Sequence, residues 1–279
     1  PGSDAKVRRS AECRLIEGEL GSSAALEAVL EGCDAAIYNV GILREFPRKG
    51  ITFLETQYEG VVRTLDAARK TDVQRFLLMS ANGVKSPGTA YQETKYRAER
   101  AVEASGLQYT VFAPSVIFGD PRGTMEFATQ LYRDMVRPPL PAVAFHTGCN
   151  PASGEVLMSP VHVTDVALAF ANALERPDSV GQRYVLGGPE VLSWARMIER
   201  IATAAGKSKL ILPMPVGLMR IGATLFDRLP FFPVTRGQLT MLAEGNTAAS
   251  AELRELIGRE PLAFSPDNLG YLADSAETH

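Results

Sequence analysis

The sequence is short of the residues that build metal centres and disulfide frameworks. It holds three cysteines and three histidines in 279 residues. Cys13, Cys33 and Cys149 are spaced too widely for a zinc pattern, and an odd count in a long chain does not make a disulfide scaffold. His146 with Cys149 is too thin a pair for a metal site, so no metal is expected. A reducing, cytoplasmic setting, including the periphery of a membrane complex, is the matching expectation. The single tryptophan, Trp194, falls among Ile and Met and is expected in a core. Charge of one sign is also lacking: the net charge is −3 and no basic tract exceeds a few residues, which argues against a nucleic-acid partner. No apolar run reaches the roughly 20 residues of a membrane span. The most apolar stretch, 210–226, is interrupted by Pro213, Pro215 and Arg220. It is expected to pack in a small lobe, or to meet a partner or an apolar substrate. Finally, neither G-x-G-x-x-G nor G-x-x-G-x-x-G, the turns that cradle a dinucleotide's pyrophosphate, occurs anywhere.

What is present is an ordinary globular composition, 46% apolar and 22% charged, with two alternating element types. Cys13 to Ile16 reads as a short strand. Ser22 precedes a helical pattern in which Leu26, Val29 and Leu30 share a face. Ala35 to Val40 reads as a buried strand ending at Gly41, and Ile51 to Lys70 as a long amphipathic helix. Arg75 to Ser80 carries a continuous apolar run, the mark of a strand covered on both faces. Tyr91 to Ala104, stopped by Gly106, predicts a helix, and Tyr109 to Phe112 a strand. Further on come helices at Val163 to Leu174 and Leu192 to Ala205, with a strand at Arg183 to Leu186. This alternation predicts an α/β fold with a doubly wound, mostly parallel sheet. Residues 1–119 are expected to form an incomplete dinucleotide-binding domain. Residues 120–279 are expected to form mainly a smaller, mostly helical substrate lobe, with 160–188 returning to the sheet.

Open parallel sheets bind ligands at the carboxyl ends of their strands. There the sequence places Asn39-Val40-Gly41, then Ser80-Ala81-Asn82-Gly83, then Tyr91 and Lys95 at the start of a helix. Tyr91 and Lys95 are one turn apart and share a face. An ammonium beside a phenol lowers its pKa from about 10, so that it can exchange a proton with a carbonyl or alcohol near neutrality. Ser80 is expected to hydrogen-bond the same substrate oxygen, and Lys95 to reach a ribose hydroxyl as well. A lone Tyr-x-x-x-Lys is weakly specific; its place just after a strand ending in serine gives it weight.

With Ser80, Tyr91 and Lys95 in place, the stretch from Phe76 to Gly119 resembles the atypical short-chain dehydrogenase/reductases, which are NAD-dependent epimerase/dehydratase-like proteins with a Rossmann-type sheet. Within them it is most similar to the group around the nucleotide-binding accessory subunit of respiratory complex I. Ser159 to Ala167, Tyr184 to Pro189 and Pro233 to Leu242 fit that group too. The resemblance implies NAD or NADP as cofactor, with no sign of which. It implies that Glu19 and Leu20 meet the adenine, although Glu19 stands where the family has Asp. Val40, Gly41 and Ile42 lie along the cofactor, and Pro114, Ser115 and Val116 border the nicotinamide. It implies an NAD(P)-binding oxidoreductase or epimerase-like protein acting on a small molecule that the sequence does not identify, an apolar one among the candidates. Two other roles stay open: a non-catalytic NAD(P)H-holding subunit of a protein complex, and an NmrA-like redox sensor. Because the resemblance starts past the Gly-rich turn, the chain is expected to be a fragment, inactive by itself, of a longer protein whose upstream part binds the pyrophosphate. Lys6, Arg8 and Arg9 are expected to be a solvated basic loop.

Overall fold

A computed structural model of the protein describes residues 13–148, 154–217 and 236–274. The backbone divides into two compact units. Among the described residues, the first holds 13–80, 84–112 and 173–183, and the second holds 81–83, 113–148, 154–172, 184–217 and 236–274.

The first unit is built on parallel strands β1 (Ala35–Tyr38), β2 (Arg75–Met79) and β3 (Gln108–Pro114), and β8 (Gln182–Leu186) follows β3 in the sheet order. Period-two side chains sort by face. Ala36, Tyr38, Phe76, Leu78 and Val111 pack with Leu26 and Leu30 of α1 (Ser23–Leu30), Val61 and Leu65 of α2 (Gly60–Lys70), and Ala98 and Val102 of α3 (Ala90–Glu103). The opposite-facing Leu77 and Thr110 are also fully buried, so the run in β2 is covered on both faces as its sequence predicts. Arg75 opens β2 as a buried cation. It donates to Gln108 O, Thr110 Oγ1, Ala173 O and Ser179 Oγ, which satisfies a group that would otherwise be costly to bury.

Helix starts follow their caps. Ser22 Oγ accepts from Ala25 N ahead of α1. Thr89 and Gln92 form a reciprocal capping box that fixes the first turn of α3, the turn carrying Tyr91. Two expectations change. Cys13 to Ile16 is irregular and exposed rather than a strand; among the described residues it pairs with no strand, and strand composition alone does not hold a strand. The helix expected from Ile51 is wound as a π-helix over Leu54–Glu59 before becoming α2. Phe53 N donates to the Glu45 carboxylate at the start of this segment.

The second unit contains α4 (Phe127–Leu131), most of α5 (Val163–Glu175), α6 (Trp194–Ala204), α7 (Arg236–Glu244), α8 (Ala251–Ile257) and α9 (Tyr271–Asp274). It also has three strand pairs: β4 (Ile117–Phe118) with β7 (Val161–His162), β5 (Ala142–His146) with β10 (Ile211–Pro215), and β6 (Leu157–Met158) with β9 (Leu192–Ser193). The lobe is therefore less purely helical than its composition suggests. Leu192 and Ser193 pair as a strand because Ser193 is the extended N-cap of α6, its hydroxyl accepting from Arg196 N. Trp194 lies in this unit's core with Phe145, Met197 and Phe264, as expected. Of the apolar stretch 210–226, residues 211–215 form β10; 218–226, the basic loop at Lys6, Arg8 and Arg9, and Cys149 lie outside the described residues. Among the described residues no helix is long and apolar enough to cross a membrane, and no cluster of His, Cys, Asp or Glu could hold a metal ion.

Candidate functional site

The first unit brings Gly41, Ser80, Tyr91 and Lys95 into one neighbourhood. Tyr91, Lys95 and Glu99 recur every fourth residue along α3 and share a face. The tip of β2 runs beneath that face. Lys95 Nζ donates to Met79 O at 3.0 Å, and the Ser80 hydroxyl donates to Glu99 Oε1. Glu99 is only 2% exposed and is ion-paired to Arg183, whose Nε and Nη2 donate to it at 2.9 and 3.3 Å. Lys95 Nζ stands 5.9 Å from the centre of the Tyr91 ring, and Phe53 meets that ring edge-on at 5.7 Å.

The loop after β1 completes the neighbourhood. Asn39, Val40 and Gly41 are exposed. A Cβ added at Gly41 would come to 3.8 Å from Lys95 Nζ, so the ammonium ends beside bare backbone at the carboxyl end of β1. Gln57, from the π-helix, locks this loop to α3: its Nε2 donates to Ile42 O at 2.9 Å and its Oε1 accepts from Thr94 Oγ1 at 3.0 Å. Residues fitted for a dinucleotide's ribose are those that can donate to neutral hydroxyls beside uncrowded backbone. Lys95, with one of its three N–H groups on Met79 O and Gly41 at its tip, meets that description.

Burial sets the charges. The Tyr91 phenol is pushed up to about 12 by loss of solvent. The lowering expected from its lysine neighbour is not found. Lys95 is pulled down to about 8, chiefly by burial, against the opposing pull of the Glu99 carboxylate. Between pH 8 and 10.5 an unfolded chain keeps a lysine proton that the folded protein has released. Raising the pH through that window should therefore stabilise the fold, by up to about 3 kcal/mol. Denaturant titrations at pH 8 and pH 10 check this; the rise should be smaller in a Lys95→Met variant.

The other expected residues are placed elsewhere. Glu19 is exposed in the turn before α1, where its carbonyl accepts from Ser22 N; Leu20 packs on the first unit's core, and its carbonyl accepts from Arg63 Nε. Pro114, Ser115 and Val116 belong to the second unit. There Pro114 O accepts from Asn82 N, Ser115 N donates to Leu186 O, Ser115 Oγ donates to Asn246 O, and Val116 O accepts from Val161 N. His162 is half-buried against Phe118, with its Nδ1 accepting from Thr164 N. The neighbouring Asp165 is fully buried; it takes Leu262 N and the Arg259 guanidinium, pinning a later loop. Sequence reasoning missed Glu99, Arg183 and Gln57. Only Glu99 left a signal, as the third member of the Tyr91, Lys95, Glu99 stripe.

Residues 3–135 match the model of an NAD(P)H-binding family. Over 221 residues the chain is 24% identical to the mitochondrial NADH-ubiquinone oxidoreductase 40 kDa subunit of Neurospora crassa, covering 79% of this chain and 55% of that one. Over 187 residues it is 27% identical to the chloroplastic divinyl chlorophyllide a 8-vinyl-reductase of Cucumis sativus, covering 63% of this chain and 41% of that one. The chain thus spans about half the length of the curated relatives it matches. Among solved structures, MoeE5 in complex with UDP-glucuronic acid and NAD superposes with a TM-score of 0.68 at 16% identity, covering 94% of this chain and 85% of that one. The parallel sheet, the Rossmann-type fold shared with that structure and the match of residues 3–135 to an NAD(P)H-binding family agree on a dinucleotide-binding domain.

Proposed function

We propose that this protein is an NAD(P)H-dependent oxidoreductase or epimerase-like enzyme that works in the direction of carbonyl reduction, with Tyr91 as the proton donor. One observation carries the reading: the half-buried Tyr91 stands beside a lysine whose ammonium ends at an exposed glycine just past β1. A phenol held near 12 stays protonated throughout the neutral range, which suits it to give a proton to an oxygen that gains negative charge. Lys95 holds a ribose hydroxyl and offers the developing phenolate a counter-charge. NAD(P)H, when bound, supplies the hydride. Val40, Gly41 and Ile42 would line its path, Glu19 and Leu20 would receive the adenine end, and Pro114, Ser115 and Val116 would border the nicotinamide. Ser80 enters with a changed role: its proton is committed to Glu99, so it can orient a substrate only by exchanging that bond. The substrate is a small molecule that carries a carbonyl group, and the cellular setting is cytoplasmic.

That commitment of Ser80 also supports a second reading, in which the protein holds NAD(P)H without turnover, as a subunit of a larger assembly. The similarity to a subunit of NADH-ubiquinone oxidoreductase lends it weight. The two readings separate in one experiment. The intact protein is loaded with NADPH or NADH, challenged with a panel of ketones, aldehydes and quinones, and followed by absorbance of the reduced nicotinamide. Oxidation that depends on the added carbonyl supports the enzyme. Stoichiometric nucleotide retained through purification and unreactive to every carbonyl supports the holder.

A further inference from the structure

Glu99 has no part in either reading as usually drawn, yet it is the most deeply buried ionisable group near Lys95. Two bonds, one helical turn apart, clamp α3 onto the end of β2 and the residue after it: Lys95 on the Met79 carbonyl, and Glu99 on the Ser80 hydroxyl. Behind Glu99 stands Arg183 from β8, itself 31% exposed at the side chain. The charges therefore alternate as guanidinium, carboxylate, ammonium, with the carboxylate the deepest of the three. We propose that Glu99 is a charge-setting and positioning residue: it keeps Lys95 protonated at physiological pH and holds the ammonium at Gly41, with Arg183 tempering its pull.

The physical argument starts from isolation. A lysine buried without a counter-ion loses its proton readily, and buried lysines with pKa values near 5–6 are known. A deprotonated Lys95 would be a poor counter-charge for a phenolate. Around Lys95, the described groups that can carry charge are Tyr91 and Glu99 on its own helix, with Arg183 beyond Glu99. Opposite it lie the Met79 carbonyl and, in the loop after β1, the backbone of Gly41. Tyr91 is neutral in this pH range, so Glu99 is the anion that opposes the desolvation of Lys95. The Ser80 hydroxyl and the Arg183 fork both donate to its carboxylate. Ser80 thus donates its proton to Glu99. This assignment rests on the reading of Lys95 as the group that faces the cofactor and Tyr91.

Glu99→Gln keeps the size of the side chain and an acceptor for Ser80, and removes only the charge. The measurement is the Lys95 titration itself, followed by NMR in the intact protein carrying carbon-13 at the lysine ε position, with Lys95→Arg used to assign the signal. No cofactor or substrate is needed, so the result stands apart from whether the protein turns over. In Glu99→Gln the Lys95 pKa should fall by about one unit or more, and the pH above which NAD(P)H binding weakens should fall with it. In Arg183→Gln, which leaves Glu99 untempered, the Lys95 pKa should rise. A Lys95 pKa that rises in Glu99→Gln would mean that the carboxylate merely packs the site and that its loss lets water in; this overturns the proposal, as does an unchanged value. If Glu99→Gln does not fold, Arg183→Gln decides alone, and an unmoved Lys95 titration there overturns the proposal equally.

Discussion

Replacing Tyr91 by phenylalanine is expected to slow carbonyl reduction by about 10²- to 10⁴-fold, the usual worth of a positioned proton donor, and to leave NAD(P)H affinity unchanged. The substitution deletes one hydroxyl and keeps the ring. The edge-on contact with Phe53 at 5.7 Å and the stacking of Lys95 over the ring survive it. Lys95 keeps its bond to Met79 O and its place beside Gly41, so the ribose contact is preserved. What is lost is the proton. Single-turnover oxidation of bound NADPH, read separately from a fluorescence titration of binding, isolates that loss. The pH dependence gives the same assignment from the other side. Tyr91 stays protonated to about 12, so it sets no limb in the accessible range. Lys95 titrates near 8, and the alkaline limb of turnover should fall there as its charge disappears. Full turnover in Tyr91→Phe removes the phenol from the mechanism. A wild-type protein that retains nucleotide and never oxidises it would move the weight to the holding role.

The sequence carries the backbone of this site more clearly than its electrostatics. Tyr91 and Lys95 are legible because helical spacing is a local property, and Thr89 with Gln92 announces the turn that aims them. The strand from Arg75 is legible because burial on both faces leaves an unbroken apolar run. The fate of Ser80 is not legible. Its partner Glu99 lies nineteen residues on, and the charge that holds Glu99 lies a further 84 residues away at Arg183. No spacing rule links a strand tip, a helix and a later strand. The upward shift of the phenol is hidden for the same reason: the nearby ammonium is visible in sequence, while the desolvation that outweighs it is a property of the assembled fold. The failed strand at Cys13 to Ile16 shows the converse. Its residues have strand composition, but none of the described strands pairs with them, and strand composition without a partner does not make a strand. The π-helical start before α2 is invisible in the apolar periodicity, yet it is this segment that delivers Gln57 between Ile42 and Thr94 and Thr56 O to the Tyr38 hydroxyl at 2.5 Å.

The largest stability effect is expected in the second unit, at a residue with no chemistry. Gly188→Ala should destabilise the protein by more than about 4 kcal/mol, well beyond the usual range for a single substitution. An added Cβ there would lie 1.7 Å from Pro160 O and 2.8 Å from Pro160 C. The obstacle is backbone, so no rotamer change relieves it. Nor can that backbone withdraw. Gly188 N donates to Ser159 O at 3.1 Å, and Val161 N, just past Pro160, donates to Val116 O at 2.9 Å. Ser159 is tied in turn, its N to Asn246 O and its hydroxyl to Ala248 N. Gly187 meets the same difficulty against Ala248 O at 2.2 Å from a built Cβ, so the chain leaving β8 is gripped by two segments at consecutive residues. Opening either grip exposes buried donors and acceptors as well as core, which is why the cost exceeds that of an ordinary overpacked methyl. Thermal melting should show the midpoint of Gly188→Ala falling by about 10 °C or more, given roughly 2–4 °C per kcal/mol for a chain of this size. Gly21→Ala, where nothing lies within 4 Å of the added carbon, is the control and should melt close to wild type. A Gly188→Ala protein that melts with the control would mean that the Ser159–Val161 backbone yields freely. In that event the hydrogen bonds joining β4, β7 and the Asn246 segment could not be what holds the second unit's strand ends in place.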